Sequence, residues 1–198
     1  MRRPSFLIFV LALALATTLV RPAAAGEKAG VKMPDAIEVA GKHLALNGMG
    51  LREATFLKID VYVAGLYLET VSSDAAAIVR SSQVKRLVLR FVRDVDRDDI
   101  LDAWHDGFKG NATVKLVMIQ GSIDRLDGWM GDFSDGDTLA FTDVPGEGVQ
   151  VEINGARKGV LKGEDFARSL FAIWLGARPP TSDLKTGLLG KHPAPVAR

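Results

Sequence analysis

Cysteine is absent from all 198 residues, which excludes disulfides, thiol catalysis, cysteine metal sites and a lipid-modified N-terminal cysteine. Histidine is scarce: His43, His105 and His192 lie far apart, and no His-Glu-x-x-His pattern occurs. Gly-x-Ser-x-Gly, a phosphate loop and the dinucleotide glycine fingerprint are missing as well, so neither a metal nor a cofactor is expected. Charge of one sign is also lacking. With 25 basic and 24 acidic residues the net charge is +1, which leaves no basic footprint for nucleic acid. Only one long apolar run exists, and it sits at the N-terminus.

That run has the three parts of an export signal. Arg2 and Arg3 form a positive n-region, Phe6 to Val20 is apolar apart from Thr17 and Thr18, and Ala23-Ala24-Ala25 places small residues at the cleavage site. Cleavage after Ala25 and a periplasmic or secreted location follow as expectations. The alternative, a retained anchor, conflicts with a run shorter than the ~20 residues a span needs. No stable membrane anchor is therefore expected after cleavage. Removing residues 1–25 takes away three of the 25 basic residues and no acid, leaving 22 against 24 and a net charge of about −2. The 173 residues that remain suffice for one hydrophobic core and are too few for two comfortable domains.

The expected organisation is a signal at 1–25, a polar flexible leader at 26–33, one domain at 34–190 and a disordered tail at 191–198. Strands are expected at Ala36–Ala40 and His43–Asn47, with Gly48 and Gly50 as punctuation, then at Phe56–Glu69. In that longest run Leu57, Ile59, Val61 and Val63 share one face, Lys58, Asp60 and Tyr62 the other, and Gly65 marks a bend or bulge. A short helix is expected over Ser73–Ser82, then a strand over Arg86–Val92. Asp96–Gly110 reads as an amphipathic helix, Ile100, Trp104 and Phe108 recurring at four-residue spacing with Asp96 as cap and Asp99 three residues on. A weaker helical pattern covers Thr113–Met130. Thr138–Val144 and Val149–Ile153 pair as strands, and Asn154-Gly155 turns into a third at Lys158–Leu161. Helices at Phe166–Leu175 and Thr181–Leu189 close the domain. This order gives an α+β fold with an antiparallel sheet and helices layered on one face.

Few residues are candidates for chemistry. Asp94, Asp96, Asp98, Asp99 and Asp102 form an acidic cluster best explained by a helix N-terminus, where negative charge meets the positive end of the dipole. His105 reads as a solvated or boundary residue. Two features remain: Gly48-Met49-Gly50-Leu51-Arg52, where glycines two apart let the backbone bend or pack closely, and Tyr62 ten residues beyond Arg52. An arginine beside a tyrosine in an apolar cleft suits a carboxylate or an enolate, through a charged fork and one hydroxyl donor. The plainer reading is a salt-bridged arginine and tyrosines that fill the core.

Leu46–Arg52 followed by Tyr62-Val-Ala-Gly-Leu-Tyr-Leu-Glu69 resembles the chalcone isomerase superfamily. Gly163-Glu164-Asp165-Phe166 and Ile173-Trp174-Leu175-Gly176 are similar to its bacterial chalcone isomerase-like branch. The resemblance implies an open-faced β-sandwich. It places the catalytic arginine of the plant enzymes on Arg52, their threonine at or next to Tyr62, and their tyrosine and asparagine near Asp96 and Ala103. Their later threonine or serine falls near Ile173. Only the arginine is kept, so a competent set for cyclising a chalcone is missing. The fatty-acid-binding members keep an arginine and a hydroxyl for a carboxylate, which implies a non-enzymatic binder of a small amphipathic acid held by Arg52 and Tyr62. An isomerase acting on an enone and an envelope structural protein are the alternatives.

N-terminal sequencing of the protein recovered after export checks the first expectation. A chain beginning Gly26-Glu27 is expected, and one that retains residues 1–25 contradicts it.

Overall fold

The computed structural model describes residues 26–54 and 59–190. The expected signal, the start of the strand expected from Phe56 and the tail from Lys191 lie outside the described residues. The first described element corrects an expectation. The segment taken as a flexible leader pairs β1 (Gly26–Lys28) with β2 (Val31–Met33) as an antiparallel hairpin. Met33 is buried, because Gly65 beneath it has no side chain and the Met33 sulfur occupies that place. Gly65 is thus a docking point and not a bend: the strand's pairing with its neighbour runs through it without a register shift.

The main sheet follows chain order: β3 (Ala36–Val39), β4 (Lys42–Ala54), β5 (Ile59–Leu68), β6 (Lys85–Phe91), β7 (Thr138–Val144), β8 (Gly148–Ile153) and β9 (Ala156–Leu161). All neighbouring pairs are antiparallel. The β8–β9 turn uses Asn154 and Gly155, both at positive φ, as a two-residue hairpin turn requires. The expected break at Gly48 and Gly50 does not occur. β4 runs on for 13 residues, and its irregularity is an extra residue at Asn47, opposite the step from Tyr67 to Leu66. A second bulge sits at Val61 on β5. There the expected alternation fails, and Val61 and Tyr62 both pack toward the same core.

Helices cover one face: α1 (Ala75–Arg80), α2 (Arg97–Asn111), α3 (Gln120–Asp127), α4 (Glu164–Leu175) and α5 (Ser182–Leu188). The helix expected over Thr113–Met130 is instead a 3-10 turn at Leu116–Met118 followed by α3, which ends at Gly128. Asp74 caps α1 by accepting from the Ala77 N–H, and Thr181 caps α5 by accepting from Leu184. The cap expected at Asp96 differs. Its side chain makes no capping bond, and Asp132 supplies the acceptor for the Arg97 N–H at 2.9 Å.

Between the layers lie Ala64, Leu66, Leu87, Leu89 and Phe141 from the sheet, against Trp104 and Phe108 of α2 and Phe166, Leu170 and Trp174 of α4. Each large apolar side chain buried this way contributes about 1.5–3 kcal/mol. One ion pair is enclosed with them. Lys85 Nζ lies 2.7 Å from Asp143, opposite it on β7, and donates to the Ser81 carbonyl at 3.0 Å, tying the end of α1 to the sheet. A smaller set, including Met33, Leu44, Met49, Val63 and Tyr67, is buried on the other face beneath the hairpin.

Gly48 and Gly50 carry α5. A Cβ on Gly48 would run into the Gly187 carbonyl, and one on Gly50 into the Leu184 backbone and its Cδ1, 2.7 Å away. Gly48→Ala is expected to cost about 1–3 kcal/mol through overpacking, read as a lower denaturant midpoint. A midpoint equal to that of the native protein would show that α5 does not rest on this strand.

Candidate functional site

The spacing Gly48-x-Gly50-x-Arg52 puts all three residues on one face of β4, so the guanidinium emerges where α5 ends its cover. Across the β4–β5 pair Arg52 stands directly opposite Tyr62. Residues opposed in an antiparallel pair share a face, and the structure therefore brings together the two site residues expected from the sequence. Arg52 is half-buried and donates from Nη1 to the neighbouring Glu53 carbonyl. Arg52 also borders the cleft described below.

Tyr62 is almost fully buried. Its hydroxyl oxygen accepts a hydrogen bond from Trp174 Nε1 of α4 at 3.0 Å, and its ring meets Phe91 edge-on at 5.8 Å. Because the oxygen is the acceptor, the phenolic proton is left to donate. Burial pushes the phenol up to about 12; the Trp174 bond and the Arg52 charge oppose that rise without cancelling it. The hydroxyl is thus a neutral donor throughout the ordinary pH range, on the residue directly opposite Arg52.

A cleft of about 580 Å³ opens beside this pair, within the range of small-molecule sites. Its inner wall is apolar: Val61, Ile100, Ala103, Trp104 and Ile173. Charged residues of both signs also line the cleft: Arg93 and Arg178, with Asp94 of the β6–α2 loop and Asp99 and Asp106 of α2. Pro179 and Pro180 stiffen the connection from α4 to α5 where it borders the same cleft. The Trp104 indole N–H, on a ring of the inner wall, is buried without a hydrogen-bond partner among the described residues.

Other expectations resolve elsewhere. Asp98 and Asp99 occupy the first turn of α2, as the dipole argument requires. Half-exposed His105 reaches Asp127 at 2.7 Å. Among the described residues no group of three or more His, Asp or Glu is placed to hold a metal ion. Sequence reasoning missed Trp174 as Tyr62's partner, since a contact 112 positions apart leaves no local signal. It also missed the charged cleft residues beyond Arg52.

A family model described as chalcone isomerase-like matches residues 25–190. The chain belongs to that family. The Arabidopsis thaliana fatty-acid binding protein has the same fold at 17% identity, with a TM-score of 0.67 over 84% of this chain and 96% of that one. A search of curated proteins found no match to this sequence. The curled antiparallel sheet with helices on one face is thus the chalcone isomerase-like fold, as the resemblance implied.

The sequence holds two tyrosines, and both are expected to resist ionisation. Tyr67, whose hydroxyl donates to the Pro34 carbonyl at 3.1 Å, is also raised to about 12, by burial first, with Arg86 opposing and Asp35 reinforcing. The folded chain then holds both phenolic protons while the unfolded chain releases them near 10.0. Stability should accordingly be complete below pH 10 and fall as pH rises toward 12. Phenolate absorbance followed with pH checks this: a native transition centred near pH 10 would contradict it.

Proposed function

We propose that this domain is a non-enzymatic binder of a small amphipathic acid of the fatty-acid kind. The carboxylate pairs with the Arg52 guanidinium and accepts the Tyr62 proton, and the acyl chain lies along Val61, Ile100, Trp104 and Ile173. The observation that carries this reading is the cleft itself: an apolar wall ends at one half-buried arginine and one protonated phenol. The name of the structural neighbour, a fatty-acid binding protein, supports the same assignment.

The alternative of an enone isomerase has less support. Ala103 and Ile173, where the resemblance puts two polar groups of the plant enzymes, do line the cleft, and neither side chain can hydrogen-bond. Holding a phenolate and stabilising an enolate takes several oriented donors, and these positions offer none. A purely structural role leaves the cleft unexplained. We further propose that the protein is of the exported bacterial kind and meets its ligand in the periplasm or outside the cell, as the signal pattern of residues 1–25 suggests. A near-neutral mature chain has no strong field to draw it to anionic surfaces or nucleic acid.

Titration with dodecanoate by calorimetry tests the reading. Saturable one-to-one binding is expected, and Arg52→Ala should weaken it by about 1.5–3 kcal/mol, the range for a hydrogen bond to a charged group. Equal affinity in the variant would remove Arg52 from the site. Loss of a chalcone's absorbance on adding the protein, above the uncatalysed rate, would return the isomerase reading to first place.

A further inference from the structure

One buried part of the cleft wall is built around a missing side chain. α2 presents Ala103 and Gly107 to the cleft one helical turn apart, and glycine inside a helix costs about 1 kcal/mol relative to alanine. The space saved is filled from the facing helix. A Cβ on Gly107 would come within 2.7 Å of Ile173 Cγ2, 3.2 Å of its Cγ1 and 3.3 Å of its Cδ1, so the whole Ile173 side chain lies over the Gly107 backbone. Ile173 is 1% exposed and borders the cleft. Trp174, next to it on α4, is fixed through its indole to Tyr62 and packs at 5.5 Å on Trp104. A β-branched side chain in a helix has essentially one rotamer, so this wedge cannot swing aside as a leucine or methionine could.

We propose that Ile173, seated on Gly107, is a length gauge: it closes the inner end of the cleft and sets the longest acyl chain the domain accepts. The proposal rests on the binding reading above and adds to it the residue that decides between chain lengths. Affinity rises with each methylene that reaches apolar wall, by about fourfold, until the chain end meets Ile173. Beyond that the extra methylenes stay in water or force the wedge out of its rotamer. The carboxylate end is fixed by Arg52 and Tyr62, so a change at Ile173 alters the preferred length and leaves the headgroup contacts alone.

The experiment is displacement of a bound fluorescent fatty acid by straight-chain acids from octanoate to octadecanoate, measured on the native protein and three variants. Ile173→Ala removes the wedge and should move the optimum to longer acids, changing the long-to-short affinity ratio about tenfold in favour of the long. Ile173→Phe extends the wedge into the cleft and should move the optimum the other way. Gly107→Ala, which pushes Ile173 off its seat, should act in the same direction as Ile173→Phe. Circular dichroism and a melting curve confirm that each variant folds, and Ile173→Val carries the same test with a smaller shift if Ile173→Ala does not. Opposite displacements of the optimum establish the gauge. An optimum that stays in place while all lengths weaken equally overturns it, with binding itself intact. No displacement by any acid in the native protein would remove the binding reading, and the gauge with it.

Discussion

Everything at the site depends on how closely α5 lies on β4. A helix normally stands off a sheet by the length of two layers of side chains. Here Gly48 and Gly50 take one layer away, and the carbonyls of Leu184, Gly187 and Leu188 come down to the strand itself. The Asn47 bulge fastens the same junction: its amide donates to the Leu188 carbonyl and accepts from the Ser72 N–H, both at 2.8 Å. With α5 fixed there, the stiff Pro179-Pro180 connection from α4 borders the same cleft as Arg52 and Ala54 of β4. Arg52, two residues past Gly50 on the same face, is left at the mouth of the space between.

The second constraint is the bond from Trp174 to Tyr62. It crosses from α4 to β5 in the interior and settles which hydrogen-bonding role the phenol has left. An oxygen that already accepts has its proton to give, and burial keeps that proton in place until strongly alkaline pH. Beside the Arg52 guanidinium, the result is a donor pair of one charged group and one neutral hydroxyl. Such a pair is suited to holding a carboxylate. It is poorly suited to passing a proton back and forth, since a general acid or base works best when its pKa lies near the working pH.

Much of this was legible in the sequence, for local reasons. The four-residue recurrence of Ile100, Trp104 and Phe108 gave α2 its buried stripe, and Asn154-Gly155 specified a turn that few other pairs allow. Arg52 and Tyr62 could be named because both stand beside glycine-marked strands with a recognisable order. What stayed hidden was non-local. Gly48 and Gly50 read as breaks because nothing nearby shows that a helix 134 or more positions later will rest on them. The hairpin at Gly26–Met33 reads as a polar leader because its buried anchor, Met33, works only through the gap at Gly65. The Lys85–Asp143 pair was invisible, since each residue reads alone as a surface charge on an alternating strand.

The proposed ligand is a carboxylate held at Arg52, in a cleft whose inner wall is apolar. The most direct measurement is the carbon-13 resonance of carboxyl-labelled dodecanoate bound to the protein and followed with pH. A separate bound signal is predicted, titrating well below the free acid because the guanidinium favours the charged form and returning toward the free value in an Arg52→Ala variant that still binds. A bound signal that titrates like the free acid, unchanged by that substitution, would place the headgroup elsewhere and contradict the account.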